Sequence, residues 1–144
     1  MSPPDRGPVV LDTGIFSSEF VRSGSALSDA YRPLIDGRAF LVSFATEAEV
    51  RFGATLAGWG QARTRRLEQQ LSRAAVIWPG PDLLAACVDL RVWCVHHGLG
   101  LGQKSHEADR WIAATAMLFH LPLVAHDAVF RGVDGLELIT TLPA

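Results

Sequence analysis

Long apolar runs are missing from this sequence. No stretch of its 144 residues approaches the ~18 consecutive apolar residues of a membrane-crossing helix. The opening M-S-P-P-D-R-G-P segment, with one base, one acid and three prolines, has no apolar core behind it to act as a signal peptide. No membrane partner is expected, and the cytoplasm is the expected compartment. Cysteine is scarce as well. Cys87 and Cys94 stand seven apart in a run that reads as helix, which separates them by two turns, roughly 10 Å. That is too far for a disulfide, so both are expected as buried helix residues. Neither they nor the five histidines follow a zinc-ligand spacing. No G-x-S-x-G element is present, which removes a serine hydrolase.

An excess of one charge is also lacking. The formal net charge is −2, which offers no global attraction to nucleic acid. Lysine is almost absent, Lys104 being the single one among thirteen bases. Arg63, Arg65, Arg66 and Arg73 cluster in one segment, which suits either a solvated helix face tempered by Glu68 or bidentate contacts to phosphate.

What is present is material for a core. Hydrophobic residues make up 49% of the chain, enough for one domain spanning residues 1–144. Short β-prone runs without alternation at 8–11, 40–42, 75–77, 123–125 and 136–139 predict strands covered on both faces. Between them lie helical patterns at 15–21 and 27–35, broken around Ser23-Gly24-Ser25, then at 46–56, 61–74, 83–97 and 105–119. Ser105 is the expected N-cap of the last of these, whose inward stripe is Ile112, Ala113, Ala116 and Phe119. Asp82 is the expected cap of its predecessor, and Gly98 to Gly102 reads as a flexible connector. The alternation predicts an α/β protein with a mainly parallel sheet of about five short strands and helices on both sides. Right-handed crossovers bring the carboxyl ends of such strands to one edge, where sites form at the reversal of strand order.

Four acids fall at that edge. Asp12 follows the first strand and Asp127 the fourth, while Glu49 and Asp109 lie near the starts of helices. Each alone has a structural role to hand: Asp12 as a cap, Glu49 in a capping box with Thr46, Asp109 at the positive end of a helix dipole, Asp127 as a turn former. Together they read differently, because clustered carboxylates repel unless they are protonated or share a cation. An all-oxygen ligand set suits Mg²⁺ or Mn²⁺, and such an ion can activate water against a phosphodiester.

Four segments carry a family likeness: V-V-L-D-T at Val9 to Thr13, T-x-x-E-V-x-x-G at Thr46 to Gly53, D-x-x-I-A-A-T-A at Asp109 to Ala116, and L-P-L-V-A-H-D-x-x-F at Leu121 to Phe130. In order and spacing they resemble the PIN-domain ribonucleases, and among them the VapC toxins of toxin-antitoxin modules. The resemblance implies a PIN-like three-layer α/β/α fold, with Asp12, Glu49, Asp109 and Asp127 as both catalytic and metal-binding residues. It implies one or two Mg²⁺ or Mn²⁺ ions, and cleavage of single-stranded RNA to a 5′-phosphate and a 3′-hydroxyl. It also implies a VapB-type antitoxin whose C-terminal segment covers the acidic edge, and a toxin homodimer. The chain departs from the pattern at Gly14, where a small polar residue is usual, and at Ala125, which lacks a hydroxyl often found there. Phe16, Phe20, Tyr31 and Leu34 are the expected lining of an apolar groove for the antitoxin.

Two other readings are set beside this one. A receiver-like signalling domain needs an acidic pair after the first strand and a lysine at a late strand end, whereas Asp12 has no acidic neighbour and Lys104 precedes a helix. A catalytically silent PIN-like module that only binds RNA or protein would need no cluster of four acids. The G-L-G-L-G-Q-K-S stretch at Gly98 to Ser105 only superficially resembles a phosphate-binding loop, because a helical pattern precedes it.

Overall fold

A computed structural model describes residues 6–21 and 24–144. Five strands form one parallel sheet: β1 (Val9–Leu11), β2 (Phe40–Ser43), β3 (Ala75–Ile77), β4 (Leu123–Val124) and β5 (Leu138–Ile139). Their order across the sheet is β3-β2-β1-β4-β5. The chain therefore steps outward from β1 in one direction, returns, and steps outward in the other. The order reverses between β1 and β4, the place where sites form at the carboxyl edge of such sheets. The expected strands are all present, and every pairing is parallel.

Six helices cover the sheet: α1 (Thr13–Phe16), α2 (Ala26–Ile35), α3 (Phe44–Leu56), α4 (Gln61–Ser72), α5 (Pro81–His96) and α6 (Glu107–Leu118). A π-type turn over Ser17–Val21 continues α1. Of the predicted break at Ser23-Gly24-Ser25, Ser23 lies outside the described residues, as does the predicted reading of residues 1–5. Ser25 caps α2 by accepting from the Ser28 N–H.

The pleat divides the core into two layers. Val10 and Leu123 face α5 and α6, packing with Leu83, Cys87, Leu90, Cys94, Ile112, Ala113 and Ala116. Val9, Leu11, Val42 and Val124 face the other way, toward Ile15, Phe16, Tyr31, Val50, Leu67 and Leu71. This period-two partition makes the fold a three-layer α/β/α sandwich. Both cysteines are free and buried in the first layer.

Several local expectations are corrected. α3 starts at Phe44 because β2 runs straight into it, and Ser43, not Thr46, is its N-cap, accepting from the Ala45 N–H. A short 3₁₀ turn over Lys104–His106 displaces the start of α6, so Ser105 is not a cap. α5 begins with Pro81 after Gly80, leaving Asp82 in its first turn. Phe119 lies past the end of α6 and is exposed.

The glycine-spaced connector is pinned. Leu101 is fully buried, and a Cβ on Gly102 would lie 3.0 Å from the Val95 backbone nitrogen. The buried Arg110 guanidinium donates to the carbonyls of Leu101 and Gln103, and Arg91 Nε donates to the Gly102 carbonyl.

Candidate active site at the carboxyl edge

Asp12 is the first residue beyond β1 and caps α1, its Oδ1 accepting from the Ile15 N–H at 2.9 Å. The expected capping role is real, but it uses one oxygen. The carboxyl is 9% exposed. Burial, opposed by the Ile15 hydrogen bond and reinforced by the charges of Asp109, Asp127 and Glu49, pushes its pKa from 3.8 to about 6. The three charges that reach Asp12 are those of the three other acids singled out in the sequence. They come from α3, α6 and the segment after β4, so the three acids lie close enough to Asp12 for their charges to act on it.

Glu49 lies one turn and a half into α3, with no capping box to serve. Its Oε1 accepts from the Thr13 hydroxyl at 3.0 Å, and Thr13 Oγ1 lies 3.0 Å from Thr46 Oγ1. A carboxylate only accepts, so the Thr13 proton points to Glu49 and Thr46 must supply the second proton to Thr13. Thr46 is fully buried, which fixes the relay from below. Desolvation raises the Glu49 pKa, the Thr13 hydrogen bond lowers it, and the Asp109 charge raises it again.

Asp109 is in the first turn of α6, and its Oδ2 lies 2.8 Å from His106 Nδ1. Asp127 follows β4 after Ala125 and His126 and accepts from the Val129 N–H at 2.9 Å, capping the 3₁₀ turn Ala128–Phe130. Behind it, the buried Tyr31 hydroxyl lies 3.2 Å from the Ala125 carbonyl, 2.8 Å from His126 Nδ1 and 3.1 Å from Thr140 Oγ1, and accepts from the Thr141 N–H. This one phenol ties the ends of β4 and β5 together and sets the path on which Asp127 leaves the sheet.

The four carboxylates thus share a pattern. Each has one oxygen engaged by a nearby group, and the other accepts no hydrogen bond from a described residue. Asp12, Glu49 and Asp127 enter no ion pair among the described residues. By charge and donor chemistry the set fits a hard divalent cation. The convergence is looser than a closed ligand shell: among the described residues no three His, Cys, Asp or Glu side chains are gathered tightly enough to hold an ion as they stand. Glu49 and Asp127 are the exposed members.

Thr13, Thr46 and His106 contact these acids or each other, where the sequence suggests a turn, a cap and the first turn of a helix. A signal existed for His106, three residues before Asp109, the separation at which helical side chains meet. Gly14 leaves room for a side chain: a Cβ there would lie 3.5 Å from Asp12 Oδ1, an ordinary contact.

The expected antitoxin groove is corrected in part. Phe16 and Tyr31 are fully buried and line no surface. Phe20 instead borders a concavity of ≈ 270 Å³ with Val21, Trp59, Arg63, Arg66, Leu67 and Gln70. The Arg63 guanidinium lies over the Trp59 ring at 4.3 Å. A roomier concavity of ≈ 480 Å³ between α5 and α6, lined by Trp93, Met117 and His120, holds none of the four acids.

The PIN domain family matches residues 9–136, a span that includes all four acids. No curated protein matches the chain. Among solved structures, VapBC2 from Rickettsia felis, bound to a fragment of its promoter DNA, is similar with a TM-score of 0.74 at 20% identity, over 92% of this chain and 98% of that one. FitAcB from Neisseria gonorrhoeae is similar with a TM-score of 0.74 at 24% identity, over 91% and 96%. VapBC-5 from Mycobacterium tuberculosis, a member of the VapBC family of toxin-antitoxin systems, has a TM-score of 0.65 at 26% identity, over 93% and 98%.

Proposed function

The chain belongs to the PIN-domain family, and from that premise we propose that it is a VapC-type toxin, a Mg²⁺- or Mn²⁺-dependent endoribonuclease acting in the cytoplasm. The observation that carries this reading is the state of Asp12: a buried carboxyl raised to about 6 by desolvation and by three acids from distant parts of the chain, with no cationic side chain among the described residues to neutralise it. A fold that needed those acids only as caps would have no reason to gather them. Asp12, Glu49, Asp109 and Asp127 are the proposed catalytic and metal-holding residues.

A divalent cation bound there would supply Lewis-acid stabilisation to the scissile phosphate and ease deprotonation of the attacking water. The protein's own part is orientation. The Thr46–Thr13 relay aims Glu49, His106 steadies Asp109, and the Val129 and Ile15 N–H groups fix Asp127 and Asp12. Such outer partners tune the ligands they hold.

VapBC-5 is a member of a family of toxin-antitoxin systems, which supports a VapB-type antitoxin as the partner, and a toxin homodimer is part of the same proposal. The groove of Phe20, Trp59 and Leu67 edged by Arg63 and Arg66 suits a segment with an apolar anchor and nearby carboxylates. The test is direct: the isolated chain, freed of any antitoxin, cuts unstructured RNA in Mg²⁺ or Mn²⁺ and stops when EDTA is added. RNA that is bound but never cut would make the chain a silent PIN-like module instead.

A further inference from the structure

Three aromatic side chains cluster near the carboxyl edge of the sheet. Phe44 opens α3, five residues before Glu49; Trp111 lies two residues after Asp109 in α6; Trp78 follows the last residue of β3. The Phe44 and Trp78 rings are stacked at 6.3 Å with 28° between their planes, and Trp111 meets Phe44 edge-on at 5.2 Å. Neither Phe44 nor Trp78 packs into either core layer. Trp78 is 63% exposed, an unusual state for the largest apolar side chain.

Its position is held stiffly. Trp78 precedes Pro79, which confines it to extended backbone, and Gly80-Pro81 starts α5 at once. β3 neighbours β2, which neighbours β1, so the carboxyl end of β3 lies about 10 Å, two inter-strand spacings, from the end that carries Asp12. A rigid, solvent-facing indole backed by a second ring, on the edge where phosphodiester chemistry is proposed, matches a nucleobase better than it matches an aliphatic partner: planar π faces stack, and every base has one.

Resting on the ribonuclease reading above, we propose that Trp78, braced by Phe44 and Trp111, is a stacking platform for an unpaired base of the RNA substrate. The platform holds a nucleotide near the scissile one and acts on binding more than on the chemical step. Because Trp78 is outside the core, replacing it leaves the fold intact, which a thermal melt verifies.

The test measures kcat and KM in Mn²⁺ on a fluorogenic single-stranded oligonucleotide for the native chain, Trp78→Ala and Trp78→Phe. A parallel substrate has abasic sites flanking the cleavage point. Trp78→Ala is expected to raise KM about 5- to 150-fold with kcat held within about threefold, Trp78→Phe to recover most of the loss, and the abasic substrate to erase the difference between variants. An unchanged KM in Trp78→Ala, beside a native chain that cuts, overturns the platform alone. A native chain that neither binds nor cuts RNA overturns the ribonuclease reading and the platform with it. If Trp78→Ala leaves KM unchanged but elutes as a smaller species on gel filtration, the aromatic face belongs to a second copy of the chain, and the platform is again overturned.

Discussion

Two glutamates two residues apart on α3 meet opposite surroundings. Glu47 lies 3.3 Å from Arg51 Nε one turn on, and Arg51 also reaches across to Glu68 on α4, donating to its carboxylate from both terminal nitrogens, Nη1 and Nη2. In this network the arginine is pushed up and Glu68 down, chiefly by their mutual hydrogen bond. Glu49, on the next face of the same helix, has a threonine hydroxyl and the acids Asp12 and Asp109 for company. The flank neutralises its charges locally, whereas at the edge Asp12, Glu49 and Asp127 have no ion-pair partner among the described residues. Composition cannot separate the two, since both are acids at helical spacing.

The contrast predicts unequal effects. Asp109→Asn is expected to lower RNA cleavage on the order of a thousandfold, while Glu47→Gln stays within a few-fold of the native rate. Single-turnover assays on one RNA compare them, and equal losses would dissolve the distinction between edge and flank.

The second effect is on stability. Asp12 has a folded pKa of about 6 against 3.8 for the free group, so between those values the folded state keeps a proton that the unfolded state releases. The metal-free protein should therefore lose stability as pH rises through that window, by roughly 3 kcal/mol. Urea melts at a series of pH values should show the slope in the native chain and a flatter curve in Asp12→Asn.

Third comes the relay. Thr13→Val removes the hydroxyl between Thr46 and Glu49, and a loss of about 10- to 100-fold in cleavage or in cation affinity is expected, with Thr13→Ser retaining most of the activity. The smallest effect belongs to the flank. Arg51→Met breaks contacts to Glu47 and Glu68 in which the Arg51 and Glu68 side chains are well exposed, so a thermal or urea melt should register under about 1 kcal/mol.

Much of this molecule can be read from its residues. The strands announce themselves as short apolar runs, and parallel pairing of the first four follows because helices connect them, whereas only a 3₁₀ turn lies between β4 and β5. The four acids stand at strand ends or early in helices, so a parallel topology alone is enough to bring them together. What could not be read depends on contacts distant in the chain. Thr46 and Glu49 fit a capping box by spacing, but β2 passes into α3 without a loop and Ser43 takes the cap, which frees Glu49 for the carboxyl edge. Phe16 and Tyr31 suited a groove by type, yet packing against β1 and β4 buries them. The glycine connector looked mobile because the guanidinium that pins it belongs to Arg110, on the next helix.

The account rests on the four edge carboxylates acting as one receptor for a divalent cation. Calorimetric titration of the metal-free chain with Mn²⁺ tests it most directly: saturable binding is expected, abolished or weakened at least tenfold by Asp12→Asn and by Asp109→Asn and left unchanged by Glu47→Gln, in line with the loss of a ligand. Mn²⁺ binding that ignored the first two substitutions, or that followed Glu47, would contradict it.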